Sequence, residues 1–420
     1  MGVLIVLIFV VGYLAIAFEL KIKVDKAASA LVAGTLCWLC YFLTSADIVV
    51  CETELFHHLG EISAILFFLL GAMTIVEVID SHSGFHIITE AIRTRSKSKL
   101  LIIIVLITFF LSAILDNLTT AIIMASLCKK MIAQKQDRIW FLSMIIIAAN
   151  AGGAWSPLGD VTTTMLWLGG QISPLNIIVK TFFPSLVVAL IPVIIILKKF
   201  KNQKIEAPDN VKNHPSFEGN ILLLTGLFLL VLIPVFKTLT QMPPFMGMLL
   251  ALGIIWIVSS VVHFNKQPSE RYKFSVAQAL RKIDISNILF FLGILLAISA
   301  LQSFGILKHL AEFTVTHLKN TYLTGTILGL LSALVDNVPL VAATQGMFPL
   351  TIFPKDHVFW EFLSLSTGTG GSVIIIGSAA GVAMMGIEQI DFFWYLKNIS
   401  WLALIGFFAG LAIFILQQWF

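Results

Sequence analysis

The chain of 420 residues is 58% hydrophobic and only 12% charged, with a formal net charge of +4 and a mean hydropathy of +0.97. Soluble globular chains contain about 45–50% apolar and about 25% charged residues, so this composition excludes a soluble enzyme. It also excludes a disordered chain, a coiled coil and a nucleic-acid-binding domain, which leaves a polytopic membrane protein.

Ten membrane crossings are predicted in chain order. Eight are continuous apolar runs long enough to cross the hydrocarbon core: Val3–Phe18, Ala27–Leu43, Ser63–Ile79, Phe182–Leu197, Ile221–Phe236, Phe245–Val262, Ile288–Ser303 and Ile399–Leu416. The other two, residues 140–168 and 360–385, are interrupted by Gly and small polar residues, so we expect broken helices. The acidic segment Ser45–Glu61 carries no Lys or Arg and is predicted to be an outer loop.

Two further apolar stretches, residues 100–128 and 321–350, fit poorly as single crossings. The first would make a helix of about 43 Å, too long for a hydrocarbon core of about 30 Å. It is interrupted at Asp116-Asn117 and has basic clusters on both sides, and the second is interrupted at Asp336-Asn337. Because re-entrant hairpins keep both basic clusters in the cytoplasm, we predict hairpins here and both termini outside.

The two halves of the chain repeat each other. Leu111–Asn117 matches Leu331–Asn337, and the segment Ile65–Leu69 has the same Ile-Leu-Phe-Phe-Leu sequence as Ile288–Leu292. Five crossings in each half give the halves opposite orientations, as in secondary transporters. The predicted fold is all-α, with inverted repeats at residues 1–198 and 220–420 joined by a cytoplasmic linker at 199–219. Each repeat has one re-entrant hairpin and one broken helix.

Three carboxylates are predicted at membrane depth, where ionisable groups are costly and usually functional: Asp116, Asp336 and Asp160. The first two also suit a plain helix-capping role. Side chains whose oxygen atoms can bind a cation lie near Asp160 in the sequence, namely Asn150, Ser156, Thr162, Thr163 and Thr164. Carboxylates, amides and hydroxyls at helix breaks can replace the hydration shell of a small cation, and a proton competes for the same oxygens. This pattern predicts a cation/proton antiporter.

These motifs resemble the NhaD-type sodium/proton antiporters of the ion transporter superfamily. The resemblance rests on Ser112–Thr120, Asn150–Thr164 and Gly368–Ser372 with Ile376–Gly381, and it covers nearly the whole chain. It implies exchange of Na⁺ or Li⁺ for H⁺ in a bacterial inner membrane, usually by a homodimer, without a cofactor. Matched by motif, the implied Na⁺/Li⁺ and proton site consists of Asp116, Asn117, Asn150, Asp160, Thr162, Thr163, Ser332, Asp336 and Asn337. Glu77 is implied as part of a proton path.

Two other functions fit the sequence less well than an antiporter. An anion permease of the same superfamily, for dicarboxylate or arsenite, is disfavoured because carboxylates at both hairpins would repel a dianion. A membrane enzyme is disfavoured because the sequence has no Gly-x-Ser-x-Gly or His-Glu-x-x-His motif and no catalytic residues are expected. Among the remaining ionisable residues, we expect His82, His86 and His263 to be surface histidines, and Glu361 and Glu388 to be solvated.

Overall fold

The computed structural model describes residues 2–17, 19–45, 47–85, 92, 94–205, 217–309, 312, 320–334 and 337–419. Its helices in the first half are α1 Gly2–Ala17, α2 Glu19–Ile22, α3 Lys26–Thr44, α4 Ile48–Ser81, α5 Lys97–Ser112, α6 Asn117–Met131, α7 Lys135–Gly153, α8 Val161–Leu168 and α9 Pro174–Leu197. Those in the second half are α10 Phe217–Thr240, α11 Pro244–Val262, α12 Pro268–Lys273, α13 Val276–Lys282, α14 Ile285–Ser303, α15 Thr321–Leu331, α16 Asn337–Met347, α17 Val358–Gly370, α18 Ala379–Glu388, α19 Phe392–Asn398 and α20 Ser400–Gln417. A 3₁₀ turn spans Ile375–Gly377, and the described residues include no strand, only one isolated bridge between Ser96 and Lys204.

Seven of the described helices are long and apolar enough to cross a membrane: α3, α4, α9, α10, α11, α14 and α20. They coincide with seven of the eight continuous runs expected from the sequence. The eighth run forms α1, an apolar helix of 16 residues. The all-α, multi-pass architecture is therefore confirmed.

Helix α4 departs from the prediction of an outer loop at Ser45–Glu61. It begins at Ile48, where the Asp47 carboxylate accepts hydrogen bonds from the amides of Val49 and Val50 at 2.9 and 3.3 Å. It then continues unbroken to Ser81 over 34 residues, or about 51 Å. The loop prediction was wrong because the polar residues before Ser63 limit the apolar run but not the helix, which begins at the Asp47 N-cap.

Helices end and restart inside each of the four interrupted stretches. Residues 113–116 separate α5 from α6, and residues 154–160 separate α7 from α8. In the second half, α15 ends at Leu331 and α16 begins at Asn337, while the 3₁₀ turn lies between α17 and α18. The interruptions therefore lie where Asp-Asn and Gly-rich sequences predicted them.

Buried hydrophobic side chains form two clusters that divide the helices. The smaller cluster joins α1, α3 and α14, where the Trp38 indole also donates to the Ser299 hydroxyl at 3.2 Å. The larger cluster joins the interrupted helices to α9, α10 and α20. Met165 from α8 and both Val338 and Ala342 from α16 pack into the smaller cluster. The interrupted segments therefore contact both groups of helices.

Four polar side chains expected at the surface are buried instead. His82 and His263 are 4% and 3% exposed, with ring centroids 4.8 Å apart. Glu361 is fully buried and accepts a hydrogen bond from Asn176. Glu388 is 5% exposed and is paired with Arg138 at 3.1 Å. The surface prediction was wrong because these partners lie far away in sequence, so local polarity could not reveal them.

Asp336 and His86, together with most of the predicted linker, lie outside the described residues.

Candidate functional site

The Asp160 carboxylate is the point on which the interrupted segments converge. It precedes α8, is only 2% exposed, and accepts hydrogen bonds from neutral donors on three segments. The Asn337 amide donates at 2.9 Å, the Asn117 amide at 3.4 Å and the Thr162 hydroxyl at 2.8 Å. Asn117 and Asn337 are the first residues of α6 and α16, so the first turns of both helices meet one carboxylate.

Asn150 extends this group of oxygens toward the second half of the chain. Its side-chain oxygen accepts from the Asn117 amide at 3.0 Å, and its own amide donates to the Ser378 hydroxyl at 2.9 Å. Ser378 in turn caps α18 by accepting from the amide of Gly381 at 3.2 Å. In the sequence, Gly152-Gly153 and Gly159 match Gly370-Gly371 and Gly377, so Ser378 stands where the first half has Asp160. The site therefore contains a hydroxyl from the second half at the position that Asp160 occupies in the first half.

Thr163 lies in the first turn of α8 and holds the backbone of Asp160 in place. Its hydroxyl donates to the carbonyl of Asp160 at 2.8 Å and lies 3.4 Å from the carbonyl of Gly153. The hydroxyls of Thr162 and Thr163 thus fix the side chain and the backbone of Asp160, respectively.

Asp116 caps α6 from a strained backbone position. Its carboxylate accepts from the Thr119 amide at 2.8 Å and from the Thr119 hydroxyl at 2.7 Å. Its φ of 87° and ψ of 158° lie in a region that is almost restricted to glycine and costs about 1–3 kcal/mol. Asp116 therefore has the helix-capping role that its sequence position also allows. Half-buried, Asp116 also lines a cavity of about 60 Å³ together with Asn117 and Thr164.

Glycines and serines allow the helices beside the breaks to approach closely. A Cβ on Gly152 would overlap the carbonyl oxygen of Phe109, and one on Gly370 would overlap that of Gly329. In the same pairs of helices, the hydroxyl of Ser112 donates to Ala149 at 2.6 Å, and that of Ser332 donates to Thr367 at 2.7 Å. Ser332 therefore acts on the backbone of α17, and none of its described hydrogen bonds reaches Asp160.

Glu77 lies apart from this centre, near the end of α4, where its carboxylate is 3.0 Å from the ammonium of Lys282. The structure thus brings together Asn117, Asn150, Asp160, Thr162, Thr163 and Asn337, with Asp116 adjacent through Asn117. Ser378 was absent from the predicted set. Its repeat relation to Asp160 was the signal that could have identified it.

Oxygen atoms dominate the centre. Within the described parts of the chain, no three His, Cys, Asp or Glu side chains form a group that could hold a metal ion. One carboxylate with amide and hydroxyl oxygens instead suits a hard cation of low charge, which needs oxygen ligands but few negative charges.

Comparison with known proteins agrees with this chemistry. A family model described as "Citrate transporter" matches residues 3–368. The chain is 45% identical over 412 residues to sodium/proton antiporter 1 of Arabidopsis thaliana, covering 97% of this chain and 71% of the relative. It is 30% identical over 444 residues to the Na⁺/H⁺ antiporter NhaD of Alkalimonas amylolytica, covering 98% of this chain and 90% of the relative. The chain belongs to the NhaD-type antiporters.

Membership of the NhaD-type family makes this chain a secondary transporter and excludes the membrane enzyme. Both relatives are named as antiporters, so the anion permease is not favoured even though the family model carries the name of a citrate carrier. In this NhaD-type chain, the matched region includes α5 to α8, α15 and α16 together with nearly all of α17, and hence both Asn117 and Asn337.

Proposed function

We propose that the chain exchanges Na⁺, and also Li⁺, for H⁺, with the cation and the proton competing for buried Asp carboxylates. The observation that carries this proposal is the position of Asp160 between amides from the starts of α6 and α16. Relatives named as sodium/proton antiporters support the same substrates. Oxygens around Asp160 can replace cation hydration, and a proton on the carboxylate cancels the charge that attracts the cation.

The proposed site has a centre and a flanking part. The centre consists of Asp160, Asn117, Asn150, Thr162 and Thr163, whose oxygens are joined by the hydrogen bonds described above. Asn337, which also donates to Asp160, belongs to the centre as well, and the flanking part is proposed to include Asp116, Ser332 and Asp336. Glu77 is proposed to pass protons near the end of α4.

We further propose two inverted repeats, at residues 1–198 and 220–420, joined by the linker 199–219. The repeats contain re-entrant hairpins at 100–128 and 321–350 and broken helices at 140–168 and 360–385. Matching hydrogen bonds from Ser112 and Ser332 to the neighbouring broken helices support this relation.

The proposed topology places both termini outside a bacterial inner membrane, with the protein acting as a homodimer. Two contacts support the topology because they join segments assigned to the cytoplasm. Arg138, at the start of α7, pairs with Glu388 at the end of α18, and Glu77 pairs with Lys282 at the end of α13.

The test is exchange in everted membrane vesicles that hold a pH gradient. Addition of Na⁺ or Li⁺ is expected to dissipate the gradient, and Asp116→Asn and Asp336→Asn are expected to abolish the response. A gradient that persists after cation addition would contradict the proposal. Na⁺-dependent uptake of labelled succinate would instead support the anion permease.

A further inference from the structure

Asn287 is a buried amide on α14, a helix that provides none of the described hydrogen bonds of the Asp160 centre. Its side chain is 7% exposed, and among the described residues its Oδ1 has no hydrogen-bond partner. The backbone amide of Asn287 is satisfied by the Asp284 carboxylate at 3.1 Å, so capping of α14 does not require the side chain. A buried polar oxygen without a partner destabilises the fold, and a ligand would offset that cost.

The cavity of about 60 Å³ beside Asp116 places Asn287 opposite the proposed site. The site side of the cavity contributes Asp116, Asn117, Thr119 and Thr164. The wall formed by α4, α10, α11 and α14 is apolar except for Asn287. Since a water molecule needs about 10–15 Å³ by this measure, the cavity can hold a small cation with a few waters.

The matching position in the first half carries no amide. Asn287 immediately precedes the Ile-Leu-Phe-Phe-Leu segment of α14, and Ala64 precedes the identical segment of α4. Ala64 lines a separate cavity of about 410 Å³, which also contains Glu61 and Gln345. The two helices therefore line different cavities at equivalent positions, and only one of them presents a polar side chain there.

We propose that Asn287 is a transient ligand of a partly dehydrated monovalent cation, to which it offers its amide oxygen. It would act on the route between the Asp160 centre and the side of the membrane on which α14 begins. The inference rests on the proposed exchange of Na⁺ or Li⁺ and adds a ligand from outside the interrupted helices. Among the described lining residues from α4, α10, α11 and α14, Asn287 is the one polar side chain.

The test compares Asn287→Leu with the wild type in right-side-out and everted vesicles, so that NaCl or LiCl reaches one face at a time. Leucine has nearly the same shape but no oxygen. The half-saturating Na⁺ concentration is expected to rise about tenfold on the side where α14 begins and to change less than about twofold on the other. Asn287→Asp keeps an oxygen and is expected to retain most of the wild-type affinity.

The matched control is Asn220→Leu, because Asn220 also has a buried oxygen without a described partner but lines neither cavity. The half-saturating Na⁺ concentration of Asn220→Leu should equal that of the wild type. If Asn287→Leu does not fold, Asn287→Ala replaces it in the same measurement. Unchanged half-saturation in a folded Asn287 variant that still exchanges cations would overturn this inference alone. Loss of Na⁺-driven exchange in the wild type would overturn the proposed function.

Discussion

The substitution Asp160→Asn tests the proposed exchange at its centre. It keeps the shape of the side chain, removes its charge and replaces one acceptor oxygen with an NH₂ group. Both oxygens of Asp160 accept hydrogen bonds, one from Asn117 and the other from Asn337 and Thr162. In either orientation, the new NH₂ group would therefore face another donor.

The electrostatic loss can be estimated from Coulomb's law. A cation and a carboxylate oxygen about 2.4 Å apart, within the range of hard-cation contacts, attract by about 7 kcal/mol at an effective dielectric constant of 20. If half of this attraction is offset by dehydration, about 3.5 kcal/mol remains, which is on the order of a hundredfold or more in affinity. Asp160→Asn should therefore raise the half-saturating Na⁺ concentration about a hundredfold or abolish exchange.

The assay is Na⁺-driven collapse of a pH gradient in proteoliposomes containing equal amounts of folded protein. The control is Asp391→Asn, because Asp391 caps the exposed start of α19 and asparagine caps helices equally well. The control should match the wild type. Near-normal exchange by Asp160→Asn would refute the reasoning, since the cation would then not depend on this charge.

Three further predictions concern stability and are checked by unfolding of the purified variants. Asp116→Gly is expected to be more stable than Asp116→Ala by about 1–2 kcal/mol, because glycine accepts the positive φ and alanine does not; equal stability would contradict the strain. Arg138→Gln should cost about 2 kcal/mol by removing two charge-assisted hydrogen bonds to the buried Glu388, which keeps Lys129 at 3.5 Å; Lys282→Gln at an exposed pair should cost less than about 1 kcal/mol. Burial lowers the pKa of His82, so the unfolded state takes up the proton first and stability should fall as the pH drops below about 6.5. His82→Gln should reduce this decline. Identical stability–pH profiles of the variant and the wild type would exclude a contribution of His82.

The crossings and their interruptions could be predicted from composition and local sequence pattern. Seven continuous runs became long helices because about 20 apolar residues without a strong breaker satisfy the backbone only as helix. Asp116-Asn117 marked a break because both residues are good N-caps, and residues 140–168 were predicted to break because Gly and small polar residues interrupt the apolar run.

The contacts within the site could not be read from the sequence. Asn117, Asn150 and Asn337 were candidates, but their convergence on Asp160 depends on how separate helices pack. The sequence also gave equal weight to Asp116, whereas the structure directs its carboxylate to Thr119 of its own helix. Asn287 gave no sequence signal, because a lone amide at the start of an apolar run usually caps a helix.

The length of α4 provides a way to determine which face of the protein is extracellular. At about 51 Å, the helix exceeds a hydrocarbon core of about 30 Å, so part of it must project into water unless it tilts steeply. Thr53, near its start, is exposed, while the native thiols other than the half-buried Cys40 are buried. With Cys40 replaced, a membrane-impermeant maleimide added to intact cells would label Thr53→Cys only if this end of α4 lies outside.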